Sequence, residues 1–238
     1  MKISLLDAGK RYNREWIFRH FNYQFSEGQY YAITGANGSG KSTLLQVIAG
    51  AILQSEGKVK HENNDPGYQI PDRPKELIRP AAHKELNTQS GLTSHPVSSI
   101  PYQILTEPYK YLSIAAPYLE LIEEMTATEF LTFHSKFKSL TAEIQFILEE
   151  TGLAKAAAKQ IRYFSSGMKQ RLKLAQAFFS DTPVLLLDEP TTNLDTDGIS
   201  LYHSLIKKYG AGRLVIVSSN DEQEYGFCKE VIRIADYK

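Results

Sequence analysis

The sequence predicts an α/β fold: a mostly parallel sheet with helices on both faces, antiparallel N-terminal strands and an inserted helical subdomain. Three observations carry the parallel sheet and the helical subdomain. The apolar run Tyr30-Tyr31-Ala32-Ile33 passes through a glycine-rich turn into a helical pattern that ends near Ala49. From Val184 to Ala235, apolar strand-like runs alternate with helical ones, the arrangement that builds parallel sheets. Between about 118 and 180 the periodicity is helical, which marks the inserted subdomain.

Taken in order, Lys2–Leu6, Trp16–Tyr23 and Tyr30–Thr34 read as strands, with Glu27-Gly28 as a turn. The helix after the glycine-rich turn stops at Gly50, and Ser55-Glu56-Gly57 turns into a short strand near Lys58–Lys60. Seven of the ten prolines then fall between Pro66 and Pro108, among many Asn, Ser, Gln and Thr residues. Such a composition buries little surface, so about 61–108 is expected to be a flexible insertion, with a docking element as the alternative. A strand at Tyr111–Ala115 follows, then helices at Thr128–Lys136 and Thr141–Glu150, the second stopped by Thr151-Gly152. A helix from Gly167 to Phe179, strand Val184–Leu187, helix Thr196–Tyr209 and strand Arg213–Ser218 come next. A short helix near Asp221–Phe227 and strand Glu230–Ala235 finish a single domain spanning 1–238.

Composition narrows the class. With 27 basic and 27 acidic residues there is no net field to draw nucleic acid, so none is expected as a partner. The one cysteine, Cys228, excludes an internal disulfide and reads as a small apolar residue. No run approaches the ~18 apolar residues of a membrane span, and the apolar stretch at the N-terminus is too short for a signal peptide. A soluble, cytoplasmic protein is expected. The six histidines are scattered without metal-ligand spacing.

Chemistry concentrates first in Gly35-Ala36-Asn37-Gly38-Ser39-Gly40-Lys41-Ser42-Thr43. Its glycines let the backbone bend so that successive N–H groups converge, and the helix that starts near Lys41 adds its positive dipole end. Lys41 supplies a charge for β- and γ-phosphates, and the Ser42 hydroxyl can ligate Mg²⁺. Such a loop binds a nucleoside triphosphate. The strand Val184–Leu187 ends in Asp188-Glu189, and ligands of open α/β sheets bind beyond the carboxyl ends of strands. Asp188 suits a Mg²⁺ shell, while Glu189, aimed differently, suits polarisation of the attacking water.

Two further segments give a resemblance. Tyr163-Phe164-Ser165-Ser166-Gly167-Met168-Lys169-Gln170-Arg171 is similar to the L-S-G-G-Q signature of the ATP-binding-cassette (ABC) ATPases, and Asn193-Leu194-Asp195 after Asp188-Glu189-Pro190 resembles their D-loop. The order of motifs along essentially the whole chain resembles that family alone. The resemblance implies a P-loop NTPase of ABC type that uses ATP and Mg²⁺, with Tyr12 stacked on adenine and Asp195 in the D-loop. It also implies a homodimer or paired ABC domain, in which Ser165, Ser166 and Gly167 of one copy reach the nucleotide held by the other. An integral-membrane transporter subunit is the implied partner, received by Tyr118–Phe137, with the chain peripheral on the cytoplasmic face of the membrane. A soluble ABC ATPase in assembly or repair, or a slow nucleotide-sensing module, are the alternatives. Departures bear on rate: Ser166 and Met168 alter the signature, Ala115-Ala116-Pro117 stands where the Q-loop glutamine belongs, and Gln103 lies upstream of that strand. Asn220 takes the place of the switch histidine, able to donate a hydrogen bond but uncharged. Slow hydrolysis is expected.

Overall fold

The computed structural model of the chain describes residues 1–63 and 103–238. Two sheets form its frame. In the first, β2 (Glu15–Ser26), β1 (Lys2–Tyr12), β4 (Glu56–Asn63) and β5 (Gln103–Ile104) pair antiparallel in that order. In the second, β6 (Leu112–Ala115), β7 (Val184–Asp188), β8 (Leu214–Ser218), β3 (Tyr30–Thr34) and β9 (Glu230–Arg233) lie side by side and all parallel. Parallel strands need crossovers, and helices supply them. These are α1 (Lys41–Ile48), α2 (Ala127–His134), α3 (Ile144–Glu150), α4 (Ser166–Phe179), α5 (Thr196–Tyr209) and the short α6 (Glu222–Tyr225).

Side-chain alternation explains why the parallel sheet is wholly interior. Leu185, Leu187, Val215 and Val217 point into one core, shared with Phe130, Leu131, Ile147, Leu172, Phe178 and Tyr202 of the helices. Val184, Leu186, Leu214 and Ile216 point the other way, into a core with Leu44, Leu45 and Ile48 of α1 and with Ile3, Leu5, Phe18 and Phe25 of the antiparallel sheet. Every residue of β7 and β8 is buried, hence the unbroken apolar runs in the sequence.

Several boundaries differ from the sequence reading. β1 and β2 are longer than expected because bulges keep them paired through irregular stretches: the register shifts around Ala8, and Asp7 and His20 both adopt positive φ. Gly57 sits within β4 rather than in a preceding turn, with φ 75°, and a Cβ there would lie 2.1 Å from the Asp7 carbonyl oxygen. The expected flexible insertion is trimmed at both ends. Residues 61–63 belong to β4, where His61 Nε2 bonds the Ile48 carbonyl at 2.7 Å, and residues 103–104 pair with β4 as β5. The Leu105 N–H bonds the His61 carbonyl at 2.8 Å and Pro108 opens a 3₁₀ turn, while 64–102 of that expectation lie outside the described residues. Helix Thr128–Lys136 begins one residue earlier, because Thr126 and Glu129 form a reciprocal capping box. The second subdomain helix starts at Ile144, not Thr141, whose N–H is taken by the Phe179 carbonyl instead. The final strand stops at Arg233 and tightens into a 3₁₀ turn over Ile234–Tyr237.

His134, on the last turn of α2, lies 2.8 Å from Ser180 Oγ at the end of α4. Burial, with nearby Lys138 assisting, pushes its pKa down to about 4. The unfolded chain therefore binds a proton near pH 6.5 that the folded chain refuses until about pH 4, so stability falls as pH drops through that window. With the ring half-buried, the loss is about 1–2 kcal/mol between pH 7 and pH 4.5. Urea midpoints at the two pH values should show it, and His134→Gln should shrink the difference while His61, also depressed by burial, keeps a remainder.

Candidate functional site

The carboxyl ends of β7, β8 and β3 form one edge, and the chemistry-bearing loops leave from it. Thr34 closes β3 and the phosphate loop follows at once; Asp188 closes β7 in register with Ser218, which closes β8. Two backbone bonds lock this edge: Ser219 N–H to the Ile33 carbonyl at 3.1 Å, and Glu189 N–H to the Ser218 carbonyl at 2.9 Å.

The phosphate loop is shaped by its glycines at one decisive place. Gly40 caps α1 with φ 103°, and a Cβ there would fall 2.3 Å from Ile17 Cγ2 of β2. No side chain fits, so the antiparallel sheet presses directly on the loop. The Ser39 N–H turns back to the Ala36 carbonyl at 3.0 Å, leaving the first N–H groups of α1 pointing out of the helix end. Lys41 is 4% exposed, its ammonium donating to the Gly35 carbonyl at 2.8 Å and the Ala36 carbonyl at 3.3 Å. A cleft of about 220 Å³ opens here, lined by Ile17, Asn37, Gly38, Gly40, Lys41, Ser42, Thr43 and Glu189.

Beneath the loop lies a set of unpaired polar atoms. Asp188 is 1% exposed, and neither carboxylate oxygen reaches hydrogen-bond geometry with any described residue; Ser39 Oγ and Ser218 Oγ are likewise buried without a partner. Burial raises the Asp188 pKa, and the Ser218 and Ser42 hydroxyls close by oppose that rise only in part. An unpaired buried carboxylate is costly, so the site holds a free-energy deficit that a bound cation would relieve. One carboxylate, one serine hydroxyl and room for phosphate oxygens and water fit the donor set of Mg²⁺. Glu189, the next residue, has φ 42°, an uncommon backbone state that swings its side chain from the strand direction into the cleft.

The structure brings most sequence-selected residues to this edge. Asn220 Nδ2 donates to Asn37 Oδ1 at 3.2 Å, which puts it against the phosphate loop. Tyr12 is different: it ends β1 at the β1–β2 hairpin, 49% exposed with the Lys10 ammonium 5.0 Å from its ring, and is not among the cleft-lining residues. The segment Ser165–Gly167 also lies away from the cleft lining. Ser165 caps α4 through a bond from the Met168 N–H at 3.2 Å, while Gly167 lies so close to the Asn193 carbonyl that a Cβ would be 3.0 Å from it. Asp195 caps α5 by accepting the Gly198 N–H at 2.8 Å, and its carboxylate meets Arg171 of α4 at 3.3 Å. The signature and D-loop segments thus pack against one another, and neither lines the cleft at the phosphate loop.

Some participants escaped sequence reasoning. Gln170, 3% exposed, donates to the Pro190 carbonyl at 2.7 Å and fastens α4 to the turn after Glu189. Buried Glu224 of α6 accepts the Thr191 N–H at 2.7 Å, fastening the same turn to the segment after Asn220. Ile17 could have been found from the alternation of β2, whereas nothing in the local sequence marks Gln170 or Glu224. Among the acids of the helical subdomain, Glu129 serves the capping box and Glu123 pairs with Lys169 of α4. Cys228 is partly buried, and desolvation pushes its thiol up to about 12, as for an inert sulfhydryl. Among the described residues no cluster of three or more His, Cys, Asp or Glu can hold a metal, and no helix is long and apolar enough to cross a membrane.

A phosphate loop, a strand-end carboxylate beneath it and a separate signature surface, on a parallel sheet flanked by an antiparallel one, define an ATP-binding-cassette ATPase. The ABC transporter family model matches residues 18–192, and the chain belongs to that family. It is similar to the ABC transporter ATP-binding protein YybJ of Bacillus subtilis, at 27% identity over 95% of this chain and 89% of that one. ABC transporter I family member 1 of Arabidopsis thaliana is also 27% identical, over 87% and 77%. The fold matches the dimeric structure of MJ0796, a bacterial ABC transporter cassette, with TM-score 0.71 and 23% identity over 97% and 93% of the two chains.

The unpaired carboxylate yields a prediction for the nucleotide-free protein. Asp188→Asn replaces a buried charge by a neutral amide and should raise the melting temperature by about 2–4 °C, the equivalent of about 1 kcal/mol at this size. Calorimetry without nucleotide or divalent cation checks it; a lower melting temperature would show that the carboxylate is compensated after all.

Proposed function

We propose that this cassette binds ATP with Mg²⁺ in the cleft above Asp188, closes head-to-tail on a second cassette, and couples hydrolysis to a membrane transporter subunit. The single observation that carries the reading is the buried Asp188 carboxylate without a partner beneath the phosphate loop, beside Ser42 and unpaired Ser218. Ser42 and Asp188 would hold the cation, which when bound supplies charge neutralisation at the β- and γ-phosphates. Lys41 exchanges the carbonyls of Gly35 and Ala36 for phosphate oxygens, and the loop N–H groups with the α1 dipole hold the remaining charge. Glu189 orients a water and takes its proton as the water oxygen bonds to the γ-phosphorus and the bond to the ADP oxygen breaks. Asn220, fixed on Asn37, donates a hydrogen bond to the γ-phosphate without adding charge, which supports slow turnover. Adenine stacks on Tyr12 at the exposed hairpin end.

The paired arrangement is supported by the placement of Ser165–Gly167 off the chain's own cleft, at the start of α4, where helix-end N–H groups can meet the phosphates of a partner's nucleotide. Like MJ0796, which is dimeric, the cassette would enclose its nucleotide between two copies. The membrane subunit would dock on the helical subdomain near Tyr118–Phe137, placing the chain on the cytoplasmic face.

Glu189→Gln tests the chemistry and the pairing together. Phosphate release should fall by at least about 100-fold, the usual contribution of a positioned base. Binding of ATP should persist, and light scattering should reveal a dimer that forms with Mg²⁺ and ATP but not with ADP. Unchanged turnover removes Glu189 from its role, and a monomer at saturating ATP removes the pairing.

A further inference from the structure

The peptide between Pro190 and Thr191 is pinned at both ends by buried side chains. Its carbonyl accepts from Gln170 Nε2 of α4 at 2.7 Å, and its N–H donates to Glu224 Oε1 of α6 at 2.7 Å. The Thr191 hydroxyl donates to the same carboxylate oxygen. Gln170 is 3% exposed and Glu224 4%. At Glu189 itself, the N–H is bonded to the Ser218 carbonyl and the carbonyl accepts the Thr192 N–H at 3.1 Å. Only Pro190, whose ring fixes φ, separates Glu189 from the pinned peptide. With both flanks held, the backbone of Glu189 has little freedom left.

That restraint has something to oppose. Glu189 holds φ at 42°, and a non-glycine residue stays in such a state only where its surroundings over-determine it. Its side chain lines the cleft with Lys41 and Ser42, and relaxation of the backbone to negative φ would swing the carboxylate away. Glu224 is itself well anchored. Its carbonyl accepts the Tyr202 hydroxyl of α5 at 2.7 Å, and its N–H donates to the Asp221 carbonyl at 3.0 Å. It stands four residues after Asn220, which is bonded to Asn37 of the phosphate loop. A single buried carboxylate thus ties the loop after β8 to the turn after β7. Hydrogen bonds to a carboxylate are about twice as strong as neutral ones, which suits a clamp on a strained residue.

We propose that Glu224 is a positioning residue for hydrolysis: together with Gln170 it fixes the peptide between Pro190 and Thr191 and so keeps Glu189 aimed into the cleft. This rests on the reading that Glu189 activates a water for attack on ATP. Glu224 does not line the cleft and acts through Glu189 alone. The largest loss its removal can cause is therefore the contribution of Glu189 itself.

The test measures single-turnover phosphate release, and the affinity for a fluorescent ATP analogue with Mg²⁺, in the full chain. Glu224→Ala should lower the rate by at least about 10-fold, and by no more than the roughly 100-fold lost in Glu189→Gln, with affinity unchanged. Glu224→Gln keeps an acceptor at the same place and should restore most of the rate. In the Glu189→Gln background, Glu224→Ala should cost no further rate. A further loss there, an equal fall in affinity, or a Glu224→Gln protein as slow as Glu224→Ala overturns the assignment, as does a full rate in Glu224→Ala. Where circular dichroism shows Glu224→Ala unfolded, Thr191→Val removes the hydroxyl bond alone. It should slow release about 3-fold at unchanged affinity, the worth of one hydrogen bond, and an unchanged rate then overturns the assignment. If the unmodified protein does not hydrolyse ATP, or Glu189→Gln is as fast as the unmodified protein, the proposed role of Glu189 falls and this assignment with it. A slow Glu189→Gln beside a fast Glu224→Ala removes Glu224 alone.

Discussion

The parallel register of β7, β8 and β3 is the constraint on which the rest depends. Asp188 opposite Ser218, with Ser219 N–H on the Ile33 carbonyl, aligns three strand ends to a common edge. A slip of one residue in any of them would send the whole alternating set of apolar side chains to the wrong face. The two cores on either side of the sheet forbid such a slip, and that fixes where the phosphate loop, Asp188 and Asn220 meet. Packing energy spent deep in the molecule thus sets the geometry of a polar edge where few direct contacts hold the side chains.

That edge is held short of satisfaction. Asp188, Ser39 and Ser218 are buried without partners, and Glu189 keeps an uncommon backbone conformation. Other buried polar side chains are bonded: Ser113 Oγ donates to the Ala177 carbonyl at 2.8 Å, and Tyr202 donates to the Glu224 carbonyl at 2.7 Å. The contrast separates polar groups that hold the fold together from those left without a partner at the strand ends. The antiparallel sheet contributes by contact: Ile17 against Gly40 fixes the loop from outside, so the two sheets act on the nucleotide as one body.

The turns after β6 and β7 both return to α4. Lys173 clamps the first through Ala116 and Pro117, and Gln170 clamps the second through Pro190. These residues lie three apart on one helix whose N-terminus carries the signature segment. A change at either turn is mechanically connected to the surface that would meet a partner cassette, through a short chain of hydrogen bonds.

The amino-acid order alone determined the phosphate loop, the strand-end pair Asp188-Glu189, the helix Thr196–Tyr209 and the family, because each depends on local chemistry: glycine conformations, capping residues and apolar period. It could not determine how far β1 and β2 run, since their bulges are stabilised across strands and not within them, nor that residues 61–63 and 103–104 close the antiparallel sheet. Only the tertiary structure decided which polar groups are left unpaired and that Asp188 meets Ser218 at one sheet edge. The physical reason is distance along the chain. Residues 42, 188 and 218 meet at one edge through long-range packing, and no local pattern in any of those segments records the others.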